Sequence, residues 1–230
     1  PSRRGRDATL KDTFLNISET RECVVQAVTY DMVEQINLAS TEYPHGVDEF
    51  ATSGLTPLAS VMVKPARVKE SPFQMECNVL DIKSYGNGGA SANLIICEIM
   101  LIHVSEDLFV NGVIHPDKID LVARMGGDFY TRAAGSSIFE IEKPLTKIGI
   151  GYNNLPEYIK QSDLLTANDI AKLANFAKVP DEGEVNSFLD NHKLHSGSEE
   201  DIFLQVFNRA LRTGDIPAAT NFAVASLGST

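Results

Sequence analysis

The stretch from Phe73 to Val104 limits what this chain can fold into more than any other. It reads FQMECNVLDIKSYGNGGASANLIICEIMLIHV, two apolar runs on either side of a glycine-rich turn. Alternation in the first run sets Phe73, Met75, Cys77 and Val79 on one face, with Ile82 continuing it, and Gln74, Glu76 and Asn78 on the other. The second run, Leu94 to Val104, is rich in β-branched residues and almost continuously apolar, broken mainly by Glu98 and His103. A strand of that kind is expected to be covered on both sides or to sit in the wall of a barrel. Ser84 to Ser91 supplies residues that accept positive φ, so the two runs read as a long antiparallel ribbon.

Elements on either side follow from local pattern. Thr9 to Thr20 reads as a short helix with Leu10, Phe14, Leu15 and Ile17 as contacts and Asp7 as its cap. Lys11, Asp12 and Thr13 fall in its first turns. Free N–H groups and the positive dipole end at a helix start suit a phosphate, to which lysine adds a charge and threonine a hydroxyl. Glu22 to Thr29 predicts a strand and Asp31 to Ser40 a helix. Val47 to Pro57 reads as loop and turn, and Ser60 to Pro65 as a short strand ended by proline. Beyond the ribbon, Asn111-Gly112 marks a turn, Pro116 to Ala123 a helix, and Gly126-Gly127 a helix stop or a close backbone approach. Ser137 to Glu142 reads as a final strand.

Composition shifts near Tyr152. Helices are expected at Leu155–Gln161, at Thr166–Phe176 with Thr166 or Asn168 as cap, at Glu182–Asn191 and at Ile202–Arg212. The tail from Asn221 is expected to lie across the same core. The division is therefore a strand-rich domain over 1–152 and a helical extension over 153–230.

The 230 residues are 43% apolar, enough for a substantial core. A net charge of -11 disfavours a general nucleic-acid surface, though not a small basic pocket for one phosphate. Cys23, Cys77 and Cys97 each lie in an apolar run without a CxxC spacing, which reads as buried free thiols in a reducing, cytoplasmic setting. No stretch has the length and polarity of a membrane span. GxGxxG, Walker A and HExxH patterns are missing, and His192 and His195 do not have metal-ligand context, so no metal site is expected. His103, on an apolar strand, is either a satisfied wall residue or a ligand-facing one.

Leu10-Lys11-Asp12-Thr13-Phe14-Leu15-Asn16-Ile17, followed by Thr20-Arg21-Glu22-Cys23-Val24-Val25, resembles the flavin reductase-like family with an FMN-binding split β-barrel. The similarity continues through NLASTEYPHGVDEF (37–50), Gly54-Leu55-Thr56-Pro57, the Lys64–Pro72 stretch, Glu98 to Val104, and Leu121 to Tyr130. The resemblance implies a mainly β split barrel with peripheral helices, and an FMN-dependent NAD(P)H:flavin oxidoreductase working as a homodimer. Some members pass reduced flavin to a monooxygenase partner. Others bind or transfer flavin without turnover of their own, and a flavin-free interaction module is the third reading. By the same resemblance Lys11 would contact the FMN phosphate with Arg6 and Thr13 nearby. Asn37 and Ser40 would line the approach, Tyr130 would border the flavin, and His103 would face it. NADH or NADPH would be co-substrate, and no side chain need serve as acid or base. The family pattern has strands ahead of the Lys-Asp-Thr region that this sequence does not include. A barrel without them is expected to expose an edge.

Overall fold

The computed structural model describes residues 2–141, 143–145, 148–163 and 165–175. The helices expected at Glu182–Asn191 and Ile202–Arg212, and the tail from Asn221, lie outside these residues. The chain divides into two units, Pro1–Glu140 and Ile141–Thr230.

The ribbon forms as its alternation predicts. Strands β4 (Phe73–Tyr85) and β5 (Ala92–Val104) pair antiparallel, with Phe73 opposite Val104 and Tyr85 opposite Ala92. Irregularities fall between Glu76 and Cys77 and between Val79 and Asp81. Strand β1 (Glu22–Gln26) lies on the other side of β4, with Cys23 opposite Cys77, giving a three-stranded sheet of order β1-β4-β5. Helix α1 (Asp12–Thr20) precedes β1 and stops at Arg21, whose φ of 59° lets its N–H reach Ile17 O. Three two-stranded ladders complete the antiparallel set: β2 (Pro57–Leu58) with β3 (Arg67–Val68), β6 (Phe109–Val110) with β7 (Val113–Ile114), and β8 (Leu121–Gly126) with β9 (Phe129–Ala133). The result is a mixed α/β fold of several antiparallel sheets with helices at their periphery.

Helix α2 (Val33–Ala39) follows a 3-10 turn at Tyr30–Met32. Its partner α3 (Glu49–Ser53) falls where the sequence reads as loop. Asp48 accepts the Phe50 N–H and Gly54, at φ 71°, ends the helix, so five residues suffice between two good caps. Met32, Leu55 and Val68 are buried beside these helices, with Val28, Ile36, Ala39 and Phe50 packed around them. Each fully buried side chain of this size contributes about 1.5–3 kcal/mol.

Four expectations fail for identifiable reasons. Ser60–Pro65 is not a strand, because its N–H groups go to carboxylates rather than to a neighbouring strand. The helix at Pro116 is only α4 (Pro116–Ile119): Asp120 takes φ 48° and β8 begins at once. Gly126 and Gly127 form the tip of the β8–β9 hairpin rather than a helix stop, at φ 94° and 54°. The strand expected from Ser137 is replaced by a 3-10 turn at Gly135–Ser137, where the Ser137 hydroxyl donates to Arg132 O and Ala134 O and accepts from Ala134 N.

The ribbon's faces also differ from the simple alternation. Gln74 and Glu76, on the polar face, are 5% and 0% exposed, more deeply buried than Phe73 and Met75. The apolar β5, expected to be covered, leaves Leu94, Ile96, Ile99 and Ile102 between 38% and 50% exposed. Besides β4, its start is met by Ser2, which bridges to Ala92.

In the second unit, α5 (Glu157–Lys160) and α6 (Ala167–Ala174) appear where expected. Leu155, Ile159, Leu165, Ile170 and Leu173 are buried. Thr166 caps α6 by accepting the Asp169 N–H, while the Asp169 carboxylate accepts the Thr166 N–H and hydroxyl.

Candidate functional site

The β8–β9 hairpin is tied to the chain after β1: Thr29 bridges to Leu121, Tyr30 N donates to Asp120 O, and Val122 N donates to Val28 O. This tie leaves a cavity of about 410 Å³ between α2 and the hairpin, lined by Tyr30, Val33, Glu34 and Asn37 on one side and by Val122, Arg124, Gly127, Asp128, Tyr130, Thr131 and Arg132 on the other. The walls combine two phenol rings with two guanidiniums. Arg132 sits 3.9 Å from the centroid of the Tyr30 ring and donates through Nε and Nη2 to the two carboxylate oxygens of Asp120, at 2.7 and 2.6 Å. The Arg132 hydrogen bonds hold Asp120 below the usual carboxylate value, against the opposing effect of desolvation. Arg124 donates from Nη2 to Gly127 O and lies 5.9 Å from the Tyr130 ring centroid. Among the described residues it makes no ion pair.

A second constellation lies at the start of α1. Lys11 is the N-cap residue, and its side chain caps nothing. The N–H groups of Asp12 and Thr13 open the helix and have no intrahelical acceptor. The Asp12 carboxylate is already engaged: His45 Nδ1 lies 2.6 Å from one oxygen and Arg4 donates to the other at 3.2 Å. The His45 hydrogen bond, then its charge and Arg4, depress the Asp12 pKa despite desolvation. Arg6 is exposed and pairs with Asp7 at 3.7 Å and Glu42 at 3.4 Å. The Asp7 carboxylate accepts from Thr9 N and Oγ1, turning the chain ahead of the helix rather than capping it.

The third constellation is buried. Glu76 accepts the N–H groups of Val61, Met62 and Val63, at 2.5 to 3.3 Å, and lies 2.6 Å from His103 Nε2. Arg67 Nε approaches the same carboxylate at 3.7 Å, while its Nη1 donates to Gln74 Oε1 and its Nη2 to Ala59 O. Glu22 takes the next N–H, that of Lys64. Burial pushes the Glu76 pKa up, but the Val61 and Met62 N–H groups and His103 together outweigh it and bring it down to about 2.

The seven residues named from the sequence therefore fall in four places. Asn37 and Tyr130 share the cavity. Lys11 and Thr13 stand at the start of α1, and Arg6, in the segment before it, pairs with Asp7 and Glu42. His103 is engaged by Glu76. Ser40 caps the end of α2 and donates to Asn37 O. The segment after α2 links two of these places, since Glu42 and His45 pair with Arg6 and Asp12. Sequence reading did not single out Arg124, Arg132, Tyr30 or Glu76 as site residues. Two arginines in a short stretch beside a glycine pair were visible, but only the hairpin aligns them with α2.

The thiols also converge. Cys23 Sγ and Cys97 Sγ are 3.8 Å apart over β4, on the face that carries Cys77. Burial, then Cys97, pushes the Cys23 thiol up to about 12. Among the described residues no group of three or more His, Cys, Asp or Glu is placed to hold a metal, and no helix is long and apolar enough to cross a membrane.

The flavin reductase like domain family matches residues 8–120, from the turn before α1 to the start of the β8–β9 hairpin. Residues 8–120 belong to the flavin reductase-like family. A protein of Aquifex aeolicus (strain VF5) is 33% identical over 131 residues, which are 56% of this chain and 64% of that protein. One from Halalkalibacterium halodurans is 31% identical over 140 residues, 60% of this chain and 66% of the relative. The matches thus span just under two thirds of these relatives' length. Among solved structures, nitrilotriacetate monooxygenase component B from Bacillus cereus is 28% identical with a TM-score of 0.55, covering 61% of this chain and 68% of that one. A protein with a split barrel domain from Shewanella frigidimarina is 27% identical with a TM-score of 0.50, covering 57% and 65%.

Proposed function

We propose that the protein is an FMN-dependent NAD(P)H:flavin oxidoreductase. The observation that carries this reading is the pairing of family membership with a cavity that brings Asn37 and Tyr130 together. The donor set fits the cofactor. Lys11, with the free N–H groups of Asp12 and Thr13, offers a cationic seat for a phosphate, and the opposing charge of Asp12 is offset by its ion pair with Arg4 while His45 takes its other oxygen. Asn37 offers an amide and Tyr30 and Tyr130 offer ring faces to a planar group. Arg6, already paired with two carboxylates, is a weaker phosphate ligand, and His103 acts through Glu76 rather than on the cofactor.

When bound, the flavin supplies a ring atom that accepts hydride from a dihydronicotinamide. The residues of the chain hold the two rings in register and keep water from the contact, which is where the acceleration arises. No side chain is required to move a proton in the hydride step.

In this reading residues 1–152 hold the flavin as a split barrel and 153–230 form a helical extension. The exposed apolar side chains of β5 suit a homodimer, and a monooxygenase is the natural recipient of reduced flavin. The test is direct. The purified full chain is titrated with FMN, and NADH or NADPH oxidation is followed with and without it. Saturable FMN binding with FMN-dependent oxidation is the expected outcome. FMN binding without oxidation would reduce the protein to a flavin carrier, and no FMN binding would reject the reading.

A further inference from the structure

The two guanidiniums of the cavity are not equivalent. Arg132 is neutralised by a two-point bond to Asp120 and stacked on Tyr30, so its charge is committed to holding the hairpin against the chain after β1. Arg124 has only a carbonyl, Gly127 O, and the face of Tyr130. It is exposed, and the nearby acidic residues of the lining, Glu34 and Asp128, form no ion pair with it. A cation held at the mouth of a cavity by a carbonyl and a ring keeps its full charge and several N–H donors for an incoming group. The planar fork of arginine matches phosphate oxygens in a way an ammonium does not.

We infer that Arg124 is the residue that recognises a phosphate of the nicotinamide dinucleotide, and so sets the affinity for the hydride donor. The inference rests on the oxidoreductase reading, in which flavin and dihydronicotinamide meet ring to ring in the cavity between α2 and the hairpin, and it assigns the Arg124 side of that cavity to the dinucleotide. The flavin phosphate is served elsewhere, at Lys11, which leaves Arg124 for a second anionic ligand. Arg124 sits on a hairpin whose turn has two glycines at positive φ, and its guanidinium is held there by the Gly127 carbonyl and the Tyr130 ring. Tyr130 and Tyr30 present ring faces beside the phosphate position, suited to a purine or a nicotinamide. Both NADH and NADPH carry the pyrophosphate, and only NADPH adds the 2′-phosphate; the shared chemistry is a phosphate oxygen pair facing the Arg124 fork.

The experiment uses the full chain and the unreactive probes NADP+ and NAD+. Binding is measured by calorimetry for the parent, Arg124→Ala and Arg124→Lys, each with FMN affinity measured separately by flavin fluorescence and folding checked by thermal melting. The expected result is a loss of about tenfold in dinucleotide affinity for Arg124→Ala, partial recovery in Arg124→Lys, and unchanged FMN affinity. A loss confined to NADP+ assigns the 2′-phosphate, and an equal loss for both assigns the pyrophosphate. Unchanged dinucleotide affinity in Arg124→Ala overturns the inference, as does a parent protein that binds neither probe. Loss of FMN affinity in place of dinucleotide affinity overturns it too, by giving Arg124 to the flavin; in that case the oxidoreductase reading itself stands. If Arg124→Ala melts early, Arg124→Gln, which retains a side-chain amide donor, decides by the same readouts.

Discussion

His103 Nε2 lies 2.6 Å from a Glu76 oxygen, and the same carboxylate gathers three successive N–H groups of the Val61–Val63 loop. A strand on one side and a loop on the other are thus joined through one buried charge. Glu76 ordinarily titrates at 4.5 and is brought to about 2 here. A depressed carboxylate adds stability that is fully present above its unfolded pKa and is lost as pH falls through the folded one. Stability should therefore decline between about pH 4.5 and pH 2, and Glu76→Gln should flatten that part of the profile. At neutral pH the same substitution should cost about 3 kcal/mol, since it leaves N–H donors facing an amide and removes a charge-assisted acceptor. Urea midpoints at pH 7 and across the acid range measure both. A parent-like midpoint at pH 7 would mean the loop holds without the carboxylate.

Much of this arrangement was not legible in the sequence. The ribbon was, because period-two alternation over a long stretch and a glycine-rich turn leave few alternatives. The capping of α6 was legible from local pattern, with Thr166 as one of two candidates. The first helix, by contrast, was expected from Thr9 with Asp7 as cap and instead opens at Asp12 behind Lys11. Burial of Gln74 and Glu76 was not. Alternation assigns polar residues to solvent, but Gln74 donates to Val68 O and Ser71 O and accepts from Arg67, and those partners are 3 to 7 residues away along the chain yet set by the fold. Exposure of β5 was missed because an apolar run predicts cover without saying where the cover comes from. Of the site, Asn37 and Tyr130 were named by resemblance, and the cavity that unites them depends on the Thr29–Leu121 bridge, which no local pattern encodes.

The cysteine trio yields a prediction about oxidation. Cys23 and Cys97 sulfurs are 3.8 Å apart, but β1 and β5 flank β4, so their backbones lie two strand spacings apart, roughly 9.6 Å, beyond the 7 Å or so that a disulfide tolerates. Burial raises the Cys23 thiol to about 12, which keeps it protonated at neutral pH. Mild oxidation of the native chain should leave both thiols free, and Cys23 should react with a disulfide reagent far more slowly than an unfolded control. Mass mapping that finds a Cys23–Cys97 bridge formed without loss of structure would refute the register.

In the second unit, Thr166 and Asp169 exchange three bonds at the start of α6. Thr166→Ala removes the side-chain acceptor and should destabilise that helix by about 1 kcal/mol. Amides at Ile170 to Ala174 should then exchange roughly fivefold faster, while Thr166→Ser should behave as the parent. Equal exchange in Thr166→Ala would show that burial of Ile170 and Leu173 alone sets the helix.

Lys11 decides whether the start of α1 serves a phosphate. It is the N-cap of the helix, its side chain caps nothing, and it makes no ion pair among the described residues. Its removal therefore takes a charge from the surface without breaking a contact that holds the fold. Lys11→Ala should weaken FMN affinity on the order of tenfold, the worth of one charge-assisted bond, and leave the melting temperature of the flavin-free chain within a degree or two. Riboflavin, which lacks the phosphate, supplies the control: its affinity should be the same in parent and variant. Raising the salt concentration should narrow the difference for FMN, because a contact at an exposed helix start is screened. An unchanged FMN dissociation constant would remove the phosphate from this helix, and an equal loss for riboflavin would assign Lys11 to the shape of the pocket instead of the charge.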